Sequence, residues 1–120
     1  MNLDWPWPDD LDALVAAPAH HRVLFENDCV RVLDTRIAAG ERTPIHTHRW
    51  PAVHYVLSWS DFVRRDAEGG VMVDTRALKA GAPSPPVQWG SALPPHSLEN
   101  VGAGEIHIIS TEVKRSPNKC

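Results

Sequence analysis

His46 and His48, in the stretch Gly40-Glu41-Arg42-Thr43-Pro44-Ile45-His46-Thr47-His48, are the residues whose type and spacing first point to chemistry. Side chains on a strand alternate between faces, so histidines at i and i+2 project from the same face. Two neutral imidazoles placed this way can reach one metal ion from adjacent coordination positions. A His-x-His pair also arises by chance at exposed sites, so it needs support from elsewhere in the chain. That support is Leu93-Pro94-Pro95-His96-Ser97-Leu98-Glu99-Asn100-Val101-Gly102, which carries a third candidate, His96.

Taken in this order, the two stretches resemble the cupin superfamily, whose first motif is G-x5-H-x-H-x3,4-E-x6-G and whose second is roughly P-x-G-x2-H-x3-N. Gly40, His46 and His48 match the first motif at its spacing, and Tyr55-Val56-Leu57 match its strand. His96 and Asn100 match the end of the second. The resemblance implies an all-β fold, the double-stranded β-helix of a jelly-roll cupin barrel. It also implies that His46, His48 and His96 hold one divalent ion: iron, zinc, nickel, manganese or copper. Cupins catalyse dioxygenation, isomerisation and decarboxylation, and others store protein or bind sugars as regulators, so fold alone does not fix function.

The chain departs from the motif in two places. The carboxylate falls at Ala52 or Val53, neither of which can bind metal, and Ser58-Trp59-Ser60-Asp61 stands where the following glycine belongs. Three histidines still make a facial site, and three-histidine iron sites occur among cupin-like thiol and diketone dioxygenases. With fewer anionic ligands the ion stays more positive overall, which favours an anionic substrate. His54 shares the strand phase of position 52 but lies about 7 Å further along. It is read as a pocket-lining residue, with water or substrate completing the coordination sphere.

Other residues carry weaker signals. His20 and His21 read as solvated loop residues, His107 as a histidine without a role, and Cys29 as an inert strand residue. Glu99 has the opposite phase to His96 and Asn100 and faces away from the site. Arg42, Arg49 and Arg64 are candidates to receive an anionic substrate, but each taken singly reads as a solvated surface residue. Trp50, Trp59 and Trp89 read as core or interface mass, or as the mouth of a pocket.

The elements that must position these groups are short β-runs separated by turn residues, at 22–25, 30–37, 43–47, 53–58, 62–65, 71–75, 87–89 and 105–113. Such a series means a sandwich or barrel. Before it, Trp5 and Trp7 lie in an extended arm, and Asp9 or Asp10 is placed to cap a short helix reaching about Ala16, stopped by Pro18. The expected organisation is an arm with a short helix over 1–21, a barrel over 22–113 and a tail over 114–120. Val53, Tyr55 and Leu57 alternate with His54 and Val56, and Ile106 and Ile108 with Ile109 and Val113, leaving two strands apolar on both faces. The arm or a second copy must cover the outer face, and a homodimer is the expectation.

Composition sets the outer bounds. The 120 residues fit one domain, and 42% hydrophobic with 22% charged residues is ordinary for a globular protein. A net charge of −3, with basic clusters no longer than Arg64-Arg65 and Lys114-Arg115, excludes a nucleic-acid footprint. No window approaches the roughly 18 apolar residues of a membrane span. The opening MNLDWPWPDD lacks the basic start and apolar stretch of a secretory leader. Cys29 and Cys120 can form a bridge but make no disulfide framework, so a cytoplasmic location is expected.

The function these features imply is a metal-binding cupin that acts on, or binds, a small carboxylated metabolite, with turnover left open. One alternative is a non-catalytic small-molecule binder or regulator. Another is a metal-free isomerase-type cupin with His46 or His96 as general base. The latter lacks lysine and tyrosine partners, because the only tyrosine, Tyr55, is predicted to face out of the barrel.

Overall fold

Among the described residues, turn residues break the apolar runs into nine strands, all paired antiparallel in two sheets. The computed structural model describes residues 5–79, 81–114 and 120. The start of the expected arm (1–4), Ala80 and most of the expected tail (115–119) lie outside the described residues. The strands are β1 His21–Glu26, β2 Val30–Ile37, β3 His46–His48, β4 Ala52–Ser58, β5 Phe62–Asp66, β6 Val71–Asp74, β7 Val87–Gly90, β8 Leu93–Asn100 and β9 Ile106–Val113. One sheet has the order β1-β2-β9-β4-β7 and the other β3-β8-β5-β6. This is the expected jelly-roll architecture.

The short helices depart from expectation in detail. The cap of α1 (Ala13–Ala16) is Asp12, whose carboxylate accepts from the Leu14 N–H at 3.1 Å. Asp9 and Asp10, the expected caps, instead form a 3-10 turn with Leu11. A second one-turn helix, α2 (Thr75–Leu78), is capped by Asp74. Four residues are too few for a helical period to be read from sequence.

Strand β8 has no counterpart among the expected strands, because Pro94 and Pro95 supply no N–H for a ladder. The structure places both prolines where pairing is already broken. The β3–β8 register passes from His46↔His96 to His48↔Leu93 across an irregularity, and β5 pairs with β8 only from His96 to Asn100. Beyond β3, Thr43 continues the contact, donating its N–H to the Leu98 carbonyl at 2.9 Å and accepting the Leu98 N–H on its hydroxyl at 3.0 Å.

Leu33, Ile37, Ala52, Val63 and Ile106 are buried, and so are several polar groups, including His46, His96, Asn100, Ser110 and Glu112. Polar groups taken from water need internal partners. Asn100 finds four: its amide donates to the Ile37 and Gly104 carbonyls, and its carbonyl accepts from the Ser60 hydroxyl and the Gly102 N–H. The motif asparagine is thus spent on holding the β8–β9 turn.

The outer face of β4 and β7 stays open. Val53 lies opposite Trp89 and Tyr55 opposite Val87, and these four with Leu57 are all well exposed. The arm runs elsewhere: Trp5 packs edge-on to Trp7, Asp9 pairs with Arg49 at 3.6 Å, and Asp12 bridges to Thr47. Cys29, just before β2, is joined to Cys120 by a disulfide, which corrects its expected role as an inert strand thiol. No helix among the described residues is long and apolar enough to cross a membrane.

Candidate metal centre

Four imidazoles meet at one end of the space between the sheets. His46 and His48 come from β3, His96 from β8 beside them, and His21 from the start of β1 in the opposite sheet. Ring centroids are 5.0 Å apart for His46 and His48, 4.4 Å for His46 and His96, and 5.6 Å for His48 and His96. His21 lies 4.8 Å from His46 and 5.2 Å from His48. The tightest group differs from the one expected: candidate ligand nitrogens of His21, His46 and His48 all lie within 4.8 Å of one another. His96 adjoins that group through His46.

His21 therefore corrects the sequence-based expectation of a solvated loop residue. It is 6% exposed, the one buried residue of β1. Its neighbours in that strand are exposed, and the register shifts between Val23 and Phe25, so no alternation marks it. The turn after α1 fixes it, with Nδ1 donating to the Ala17 carbonyl at 3.0 Å.

Every one of the four rings is tied back in this way. His46 Nδ1 donates to the Pro44 carbonyl at 2.8 Å and His96 Nδ1 to the Pro94 carbonyl at 2.7 Å. His48 Nδ1 donates to Glu112 Oε2 at 3.3 Å. A ring nitrogen that donates to an oxygen leaves the other, Nε2, with its lone pair free, which is how metal-binding histidines are oriented. Burial holds His21 down to a pKa of about 4 and the other three to about 3. All are neutral near pH 7, the form a metal requires. On donor type, tautomer and protonation state, the set fits a divalent ion.

Behind His48 runs a buried ionic chain that the sequence did not reveal. Glu112, 1% exposed, accepts from Arg31 Nε at 2.6 Å, and Arg31 makes two 3.0 Å bonds to Asp12. Burial raises the Glu112 carboxyl above its usual range, and the Arg31 guanidinium opposes that rise. Glu112 lies in register with Ala52, one of the two positions at which the motif's carboxylate falls. An acid thus stands on the neighbouring strand and holds the Nδ1 side of His48. One signal was available: positions 106, 108, 110 and 112 share a phase, and a lone Glu on such a strand is unusual.

His54 lines the same cavity of about 210 Å³. Its Nδ1 is 2.7 Å from the Ser110 hydroxyl, and its Nε2 side packs on Gly90, where a Cβ would sit 2.6 Å from that nitrogen. Val56, Trp59, Phe62, Leu93 and Leu98 supply apolar wall, and Arg64 is the cavity's single cationic side chain among the described residues. Among the other candidates, Arg42 is exposed, Arg49 lies at the arm, and Trp50 stacks under Arg31 at 5.0 Å. His107 Nε2 donates to Asp34 Oδ1 at 2.8 Å, away from the cavity. Glu99 pairs with Arg65 at 2.8 Å.

The antiparallel two-sheet sandwich is a double-stranded β-helix, the fold of solved cupin structures to which the chain is similar. It is similar to a cupin domain from Bordetella pertussis, with 18% identity, 79% of this chain and 92% of that one covered, and a TM-score of 0.58. It is also similar to a protein with a double-stranded β-helix domain from Klebsiella pneumoniae (17% identity, 78% and 70% covered, TM-score 0.54). An RmlC-like cupin family protein from Methanocaldococcus jannaschii matches at 9% identity, 78% and 79% covered, and a TM-score of 0.51. No protein-family model and no curated protein sequence matches the chain.

Proposed function

We propose that this cupin holds one divalent metal ion on His21, His46, His48 and His96 and binds a small carboxylated metabolite beside it. The observation that carries this reading is the tethering of all four Nδ1 atoms, which leaves four neutral Nε2 donors in one buried cluster. A bound ion would supply a Lewis acid, or redox chemistry if it is iron. The protein's own part is to orient the rings, hold them unprotonated and keep the apolar wall around a ligand dry. Four neutral ligands leave the ion's charge largely uncompensated, which favours an anionic partner.

The metal-free isomerase alternative is weakened by the same facts. A general base works best with a pKa near the working pH, and His46 and His96 lie far below it, at about 3. Elemental analysis of the purified protein tests the main reading. One equivalent of metal is expected in the parent chain and a sharp loss in His46→Ala and His48→Ala. His54→Ala is expected to keep its metal. Undiminished metal in His48→Ala would refute the site. Oxygen consumption with thiols, diketones and carboxylates then separates an enzyme from a non-catalytic binder.

Two further proposals come from the surface. The open apolar face of β4 and β7 supports a homodimer burying more than about 1,000 Å² in total. A cytoplasmic location, the reading of the sequence, would keep Cys29 and Cys120 as thiols in the cell, whereas the Cys29–Cys120 bridge would persist in an oxidising compartment. Trapping free thiols at cell lysis separates the two states.

A further inference from the structure

Arg64 is unlike every other arginine the structure describes. Arg22 and Arg36 pair with Asp34, Arg31 with Asp12 and Glu112, Arg49 with Asp9, Arg65 with Glu99 and Arg76 with Asp74, while Arg42 is exposed. Arg64 is largely buried, and no carboxylate among the described residues pairs with it. Its Nε is fully buried and has no hydrogen-bond partner. Strand phase explains the contrast with its neighbour, because successive side chains on β5 point to opposite faces. Arg65 turns outward to Glu99, whereas Arg64 enters the cavity alongside Phe62, whose ring lies 5.5 Å from the guanidinium carbon. Its charge is felt by His54 and His96, across the same cavity. Burial alone acts on its own protonation, pushing it down, with no acid near enough to oppose it.

We propose that Arg64 is the specificity-determining residue of this cavity, pairing with the carboxylate of a small ligand whose other end faces the histidine cluster. A guanidinium whose Nε is buried without any partner is costly, and its donors match the two oxygens of a carboxylate. The cavity of about 210 Å³ is below the usual range for drug-sized ligands, so it fits a short carbon chain. Apolar wall at Val56, Phe62 and Leu98 suits that chain. Only the assignment of the ligand's far end rests on the metal reading above; the pairing with Arg64 does not.

The test is titration calorimetry and thermal melting of the parent chain, Arg64→Gln and Arg64→Lys, with malonate and succinate as probes and malonamide as the uncharged control. Metal content is measured on every sample, before and after chelation. At least one dicarboxylate is expected to bind the parent chain and raise its melting temperature, and malonamide to do neither. Arg64→Gln should bind about tenfold or more weakly, the loss of one charge-assisted hydrogen bond, with Arg64→Lys in between. Without ligand, Arg64→Gln should melt at or above the parent temperature, because an unpaired buried charge has been removed. Equal binding by the parent chain and Arg64→Gln would overturn the proposal. So would a failure of Arg64→Gln to fold, which would mean that Arg64 has a structural partner. Absence of metal from all samples would sink the metal reading instead, while the difference between the parent chain and Arg64→Gln in dicarboxylate binding would still decide this one.

Discussion

At the scale of single residues, Glu112 is where the buried charges converge. It accepts from Arg31 on one oxygen and from His48 on the other, so it couples the ionic chain to the cluster. Glu112→Gln keeps the shape but loses the negative charge between the two donors. Loss of such an outer partner typically weakens metal binding by about 10–100-fold, and a chelator-competition titration should show a drop in that range. Activity or binding that falls with metal affinity unchanged would mean that Glu112 does not orient His48. His46, His48 and His96 were legible because their spacing repeats a known pattern. Glu112 and His21 were not. One lies on a different strand from the motif, in register with Ala52, and the other sits in a strand whose remaining side chains are exposed.

Among the elements, β7 shows how a strand without core residues still shapes the site. All four of its residues are at least partly exposed, yet Gly90 lies against the His54 ring. An added methyl there meets His54 Nε2 in the space the ring occupies, so the ring or the strand must move. Gly90→Ala is expected to cost about 1–3 kcal/mol of stability, the usual range for overpacking. It should also weaken ligand binding while leaving metal content intact. Melting curves and calorimetry check the two effects. An unchanged melting temperature would show that the ring has room to swing away. Seven of the nine strands were readable from alternation and turn residues in nearly the right place, and β3 was expected somewhat too long. Strand β8 escaped because its prolines look incompatible with a ladder, and only its partners' register reveals that they fall at a break.

For the molecule as a whole, the proposed dimer has a direct test. The exposed row of Val53, Tyr55, Leu57, Val87 and Trp89 predicts twice the chain mass by light scattering at micromolar concentration. Tyr55→Lys should shift that mass toward the monomer, because it places a charge within an apolar interface. A monomeric parent chain would refute the assembly. The order of strands in the larger sheet has a separate consequence, for how the chain comes into being. Strand β9, last of the nine in sequence, lies in the middle of its sheet, between β2 and β4. As the polypeptide leaves the ribosome, the β1–β2 hairpin and the β4–β7 pair emerge first, each with an open edge and no partner to join them. Glu112 arrives with β9, so the His48 ring has no anchor until then. Closure of the sheet and completion of the histidine cluster therefore belong to the same late moment, after residue 113 has cleared the exit tunnel.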